Sequence, residues 1–467
     1  MRILGPDGRP ISTGPPVSEE VRGFVERSRV IAAQGDLGTA LQQLVMAFQS
    51  DVTSDLLVDA TIELLAQIAR ANGATESEEL QLFLNIRERR EDPNAYFEIG
   101  SRFVQVQQPF IAQPFLAKAR ELLGDTVNQM SQQVDVDYSQ VLMDLGRYEE
   151  AIEAFHGLNE RYGGLPIWLV LEMAECYALL RQVDEAEAVY EIAPPESAEQ
   201  FDGMEQVREE VGDLLARVRD YADREGELGL RPWHYVQTRG ILVETNPDEN
   251  VPGERFVFFQ PSEEDVAYIV GTVAAMLEQR EYAPSRLLWL GDSAEPLARL
   301  LAHWWEVDDA EVRPYQPGDN TDDEEPLALL CMAHSYDLQD EDIFQELAIA
   351  RSSLITFTLD LRWTERQPLT PDIAGFMTQV CNLPWEDRVQ MNEDQTVTPI
   401  QETRNAREIA DSMAGQFPTG DECDRFAADL LAEYGNCTDL IVDHRDGTLI
   451  RRPLATHSPV KSPRLGF

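Results

Sequence analysis

The stretch Gly146–Phe155, GRYEEAIEAF, is answered 35 residues later by Arg181–Tyr190, RQVDEAEAVY. Aligned, the two copies place Gly146, Tyr148, Glu150, Ala151 and Phe155 in one and Val183, Glu185, Ala186, Tyr190 and, just beyond, Ala193 in the next. A small alanine lets two helices approach closely, and the aromatic residue on the same face fills the groove beside it. Working outward, QGDLGTALQQLVMA puts Gly35, Asp36, Leu37, Ala40, Leu44 and Ala47 in the same slots. QQPFIAQPFLAKA does so with Ala112, Leu116 and Ala119, and ahead of it Tyr96, Ile99, Gly100 and Phe103 have the spacing of a preceding partner helix. Between these copies, 57–71 and 77–89 read as one more helix pair without the signature residues. Five pairs are expected, with the key alanines at 40, 112, 151 and 186 and a degenerate copy near 76.

This pattern resembles the tetratricopeptide repeat, whose length is 34 residues. The resemblance covers a little under half of the chain, and it implies an all-α solenoid over 20–227 in which stacked pairs bury one continuous core. The charged, amphipathic stretch 197–224 would cap its open end. The resemblance further implies a protein or peptide held in the repeat groove. One subclass of the family grips C-terminal carboxylates with lysine, asparagine and arginine; here Lys118 is the sole lysine in the repeats, which argues against that subclass.

Composition narrows the partners. Of 467 residues, 85 are acidic and 38 basic, a formal charge of -47 whose field repels phosphate backbones and anionic lipid, so neither nucleic acid nor a membrane surface is expected as a partner. Five cysteines (176, 331, 381, 423 and 437) without a Cys-x-x-Cys pair point to a reducing compartment. The opening MRILGPDGRPIS lacks the apolar core of a signal peptide, and no run of about 18 apolar residues follows, so a cytoplasmic location is expected.

Beyond 227 the helical spacing gives way to apolar runs bounded by Gly, Pro and Asp. Strands are expected at 241–244, 256–260, 287–290, 327–333 and 354–359, and helices at 263–279, 295–305 and 342–350. This alternation predicts an α/β domain with a mostly parallel sheet. Ligands of such sheets bind beyond the carboxyl ends of the strands, where this chain places Gly291, Asp292 and Ser293, then His334 to Asp337, then Asp360 and Arg362. Gly291, Asp292 and Ser293 are therefore the candidate ligand-binding residues. Asp292, Asp337 and Asp360 would hold magnesium if their strands are adjacent. The competing reading makes Asp292 and Ser293 ordinary helix caps. No dinucleotide fingerprint or phosphate-binding loop is present, and no cofactor is otherwise predicted. His334, Ser335 and Asp337 stand too close in sequence to form a hydrolytic triad, and no catalytic residue is assigned. His303 reads as a packed or surface side chain, the tryptophans as core or interface anchors, and Cys331 as inert filler in a buried strand.

Near the end, LIVDHRDGTLIR reads as a hairpin turning at Asp446-Gly447, followed by a basic, proline-containing tail suited to self-association with the acidic body. The expected organisation is an N-terminal segment 1–19, repeats 20–227, an α/β domain 228–437, and a hairpin with tail 438–467. The function that follows is a protein-interaction scaffold with an accessory α/β module. The alternative is an enzyme or small-ligand sensor in the α/β domain, magnesium-dependent if the aspartates converge, with the repeats recruiting a partner.

Overall fold

In the first helix pair, α1 (Glu19–Ala33) starts where the Ser18 hydroxyl accepts from the Val21 N–H, and α2 (Leu37–Phe48) starts where the Asp36 carboxylate accepts from the Thr39 N–H. Between them Gly35 takes φ +94°, a left-handed turn that favours glycine. The same plan repeats in α3 (Asp55–Ala71) with α4 (Glu78–Glu88), α5 (Pro93–Gln105) with α6 (Pro109–Leu123), and α7 (Gln129–Asp144) with α8 (Tyr148–Tyr162). A fifth pair follows, α9 (Ile167–Leu179) and α10 (Val183–Tyr190). Gly146, at φ +66°, forms the turn of the fourth pair. The computed structural model describes residues 18–106, 108–193, 204–222, 229–244, 256–319, 327–335, 341–351, 353–362, 369–391, 397–434 and 446–450.

The chain divides into two compact units, Met1–Leu180 with Ala188–Met204, and Arg181–Glu187 with Glu205–Phe467. The first is the tetratricopeptide-like array. Its core is continuous across pairs: Phe48 on α2, Phe83 on α4 and Phe115 on α6 form an aromatic triangle with centroid separations of 5.4, 5.1 and 5.8 Å. The pair without signature residues therefore contributes Phe83 to the same seam.

The second unit takes in the start of α10, with Ala186, and then α11 (Met204–Asp220) from Glu205 onward and α12 (Leu230–Thr238). Read from the sequence as the cap of the solenoid, α11 pairs Arg219 with Glu187 of α10; Arg217 Nε donates to the Val236 carbonyl, and the Tyr221 hydroxyl just beyond it donates to the Tyr434 carbonyl. Strands and helices then follow as β1 (Ile241–Leu242), β2 (Phe256–Phe259), α13 (Glu263–Gln279), β3 (Arg286–Leu290), α14 (Glu295–Trp305), β4 (Val312–Pro314) and β5 (Ala328–His334). After them come α15 (Glu341–Ala348), β6 (Ile349–Arg351), β7 (Leu354–Arg362), β8 (Ile373–Cys381), β9 (Arg388–Met391), β10 (Val397–Ile400), α16 (Ala406–Ala414), α17 (Gly420–Tyr434) and β11 (Asp446–Ile450).

The main sheet has the order β1-β8-β7-β5-β3-β4, with β2 also pairing β8, and every pairing in it is parallel. α13 and α14 occupy the expected ranges; α13 carries a Ser262 capping box, whereas α14 starts from Ala294 without a side-chain cap, so Asp292 and Ser293 are not the helix caps expected. Of the main sheet the sequence reading lacks β4 and β8. Gly375 of β8 interrupts the β-branched pattern, yet a Cβ there would lie 2.6 Å from the Leu359 carbonyl oxygen, so the close approach of β7 requires glycine. The edge strand β1 is completed by a side chain: the Tyr434 hydroxyl donates to the Leu242 carbonyl (3.0 Å) and accepts the Leu242 N–H (2.8 Å).

One expectation fails. Asp446-Gly447 lies inside β11, which pairs antiparallel with β6, rather than at the tip of a local hairpin. A distant strand satisfies the backbone that the local turn signal assigned to near neighbours. Residues 1–17 of the N-terminal segment, Asp337, Trp363 and the basic tail beyond 450 lie outside the described residues. Among the described residues, no helix is long and apolar enough to cross a membrane.

Candidate functional site

The chain leaves β3 for β4 on one side, returns to β5 on the other side of β3, and then steps outward to β7 and β8. Connections thus diverge between β3 and β5, and the crevice at such a switch point, beyond the carboxyl ends of the strands, is where open α/β sheets take ligands. Here it holds a polar cluster drawn from three strands, β5, β7 and β8, and from the loops after β3 and β8.

His334 ends β5, and its register partner on β7 is Asp360. The His334 side chain is 2% exposed and that of Asp360 0%. Nδ1 of His334 lies 3.0 Å from Asp360 Oδ2, and Nε2 lies 2.9 Å from Glu386 Oε1. Thr378 of β8 donates its hydroxyl to Asp360 Oδ1 at 2.6 Å. Cys381, the last residue of β8, is buried beside them. Glu386 is fixed by the turn after β8: the Leu383 N–H donates to Oε2 (3.0 Å) and the Ser293 hydroxyl to Oε1 (3.3 Å). Trp385 Nε1 donates to the Ser293 carbonyl (2.9 Å), which pins this turn to the loop after β3.

The charges follow from this packing. Burial alone would lower the pKa of His334, but its hydrogen bonds to Asp360 and Glu386, with their charges, outweigh it and raise it to about 9. The ring is therefore an imidazolium at neutral pH, and both nitrogens donate. Burial pushes Glu386 upward, but the bonds from His334 and the Leu383 amide prevail and hold it below the ordinary carboxylate range. Burial, reinforced by Asp360 and Glu386, pushes the Cys381 thiol well up, so it is no nucleophile in this state.

The candidate site residues read from the sequence separate. Gly291 takes φ +78° at the turn, Asp292 is exposed at the start of a 3-10 turn (Asp292–Ala294), and Ser293 joins the cluster through Glu386. Of the three aspartates proposed for magnesium, Asp360 is at the heart of the network, Asp292 is not among the residues gathered around it, and Asp337 is not described. Ser335 accepts from the Arg362 N–H at 3.0 Å. The sequence reading missed Cys381 and Glu386, because β8 and the turn beyond it were not foreseen. The signal available was the Leu-Pro-Trp-Glu turn at 383–386 following an apolar run. His303 is an exposed partner of Asp411, Nε2 to Oδ1 at 2.7 Å. Cys331 is fully enclosed in β5 with its thiol pushed up by burial, the inert filler expected.

In the array, Ala40, Ala112, Ala151, Ala186 and Phe155 have no exposed surface, and Tyr148 is 4% exposed. Gly100 faces Leu116 at the α5/α6 contact, and Tyr190 is half-buried. The first helices of the later pairs leave a polar strip half-buried. On it Gln133 donates to Asp137 (2.7 Å) and Gln140 to Glu172 (3.2 Å), with Trp168 and Glu175 nearby in sequence on α9. Burial raises the Glu172 carboxyl to about 8, against the Gln140 bond, and its Oε2 is enclosed without a hydrogen-bond partner. Behind the strip, Asp135 of α7 is clamped by Arg120 of α6 (2.7 Å), Arg161 of α8 (2.9 Å) and the Tyr162 hydroxyl (2.9 Å).

No family model matches the chain, and no curated protein matches it. Solved structures similar to part of it include YrrB, titled a TPR protein with an unusual peptide-binding site, at 17% identity over 36% of this chain and 82% of that one, TM-score 0.22. MamA is similar at 18% identity over 39% and 93%, TM-score 0.22. PilF of Pseudomonas aeruginosa is similar at 18% identity over 44% and 87%, TM-score 0.25. Likeness at this level leaves the repeat assignment resting on the helix pairs and their buried signature residues.

Proposed function

We propose that the chain is a protein-interaction scaffold: the tetratricopeptide-like array holds a protein or peptide, and the α/β unit is an accessory module to which no catalysis is assigned. The observation that carries this reading is the run of helix pairs whose signature residues Ala40, Ala112, Ala151, Ala186, Tyr148 and Phe155 are buried in helix packing. What such an array offers a partner is the face of its first helices. On α7 and α9 polar side chains recur, Gln133 bonded to Asp137 and Gln140 to Glu172, with Trp168 and Glu175 half-buried on α9. A partner segment with donors or positive charge, docking an apolar group on the indole, suits this face.

Co-purification with the full chain and with a Trp168→Ala, Glu175→Arg variant tests the reading. A scaffold of this kind loses its partner in the variant while keeping its far-UV helical signal. Recovery of the same partner by both proteins places the binding surface elsewhere and removes this proposal.

A second reading is supported by the switch-point cluster: the α/β unit takes a small ligand beside Gly291, Asp292 and Ser293, as a sensor or an enzyme. A buried imidazolium between two carboxylates is more than a sheet needs for its stability. Thermal melting of the full chain with and without magnesium and a panel of nucleotides and sugar phosphates tests it, since a ligand of the folded form raises the melting temperature. No shift across the panel removes it.

A further inference from the structure

We propose that His334, Asp360 and Cys381 form a site for a divalent metal ion of the zinc type, with Glu386 as the outer carboxylate that orients the histidine. Each of the three offers one ligand atom, and these atoms lie within 4.8 Å of one another. Ligand atoms around a tetrahedral zinc are about 3.3–3.8 Å apart, given bonds of about 2.0–2.3 Å, so small side-chain adjustments close the site. Two donors stand on paired strands and the third at the end of the next strand over, a rigid frame for a metal.

The surrounding contacts are those a metal site needs. A ligating histidine donates its second ring N–H to a carboxylate, and Glu386 Oε1 stands 2.9 Å from His334 Nε2. The oxygen of Asp360 that faces away from His334 Nδ1 is held by Thr378, and Glu386 is itself held by the Leu383 amide and Ser293. The ion enters where His334 Nδ1 now meets Asp360 Oδ2. On binding, the proton on Nδ1 and the thiol proton of Cys381 leave to solvent, so one M²⁺ is exchanged for two protons, and a fourth position stays open for water or another ligand. Sulfur and imidazole in the set select zinc or a similar ion over magnesium, which wants several oxygens. The chain's own donors thus point to a different ion from the all-aspartate cluster read from the sequence. The proposal is independent of what the helical array holds.

The test uses the full chain, stripped with a chelator and titrated with Zn²⁺ or Co²⁺ alone. One equivalent is expected to bind and release two protons. Cobalt is expected to show a thiolate-to-metal charge-transfer band that Cys381→Ser abolishes, although four other cysteines remain in the sequence. Glu386→Gln is expected to weaken binding about 10- to 100-fold while leaving the ligand set intact. A cobalt spectrum without a thiolate band, or binding unchanged in Cys381→Ser, means the ion sits on the acidic surface and overturns the proposal. No binding at all does so as well, leaving the cluster a hydrogen-bond network. Should Cys381→Ser fail to fold, the wild-type cobalt spectrum and proton count decide alone.

Discussion

Asp360 and His334 stand opposite each other on adjacent parallel strands, and their side chains close to 3.0 Å with essentially no exposure to water. In metal-free protein, Asp360→Ala leaves a buried imidazole and the Thr378 hydroxyl without their shared acceptor. Breaking a buried charge pair in this way costs about 3–5 kcal/mol. Chemical denaturation of the chelated full chain is expected to show the sheet transition displaced to lower denaturant by that amount, while a variant within about 0.5 kcal/mol of wild type would show the pair to be dispensable.

A second prediction concerns Gly100, where an added Cβ would lie 2.7 Å from both Cγ and Cδ2 of Leu116. Leu116 is fully buried in the core. Gly100→Ala is expected to destabilise the array by about 1–2 kcal/mol, the strain of overpacking less the helix propensity gained by alanine. Adding Leu116→Ala should relieve the strain, so the two substitutions couple in a double-mutant cycle; simple additivity would mean that the helices separate without cost.

Glu172 sets a pH dependence. Its folded pKa of about 8 lies above the ordinary 4.5 because burial disfavours the anion, with Glu175 and Asp144 adding like charge and Gln140 opposing. The folded state therefore binds a proton that the unfolded chain has released over pH 4.5 to 8. This contribution is fully present below about pH 4.5, and stability falls as pH rises through the window, by about 1.4 kcal/mol per unit of pKa difference at most. Glu172→Gln is expected to flatten the decline, so that the variant melts above wild type at pH 9 and close to it at pH 5. Parallel melting curves at both pH values would contradict the enclosed carboxyl.

Tyr434 gives the fourth prediction. Its hydroxyl alone serves both backbone groups of Leu242, and Tyr221 and Tyr235 surround it. Tyr434→Phe keeps the ring but leaves a buried N–H and C=O unsatisfied, at about 1–3 kcal/mol. Hydrogen exchange at the Leu242 amide should accelerate accordingly; protection equal to wild type would show that β1 does not depend on this side chain.

The array was legible because its information is local. Alanine, glycine and aromatic residues recur every 35 to 39 positions, and each pair buries its face against the next, so Ala40, Ala112, Ala151 and Ala186 fall into contacts that the spacing alone predicts. α13 was legible for the same reason, with its Ser262 capping box and its period in one window, and α14 by its period alone, since its N-cap Ala294 makes no side-chain bond. The metal-type cluster was not legible, because its members are brought together by strand order. His334, Asp360, Cys381 and Glu386 are separated by gaps of 26, 21 and 5 residues, and nothing in those intervals says that β8 lies beside β7 or that the turn after it folds back on Ser293. Periodic packing is written into the chain residue by residue. A site drawn from several strands exists only once long-range pairing has chosen which strands are neighbours, and here that choice turned one carboxylate of an expected aspartate trio into the partner of a buried histidine and left another in solvent.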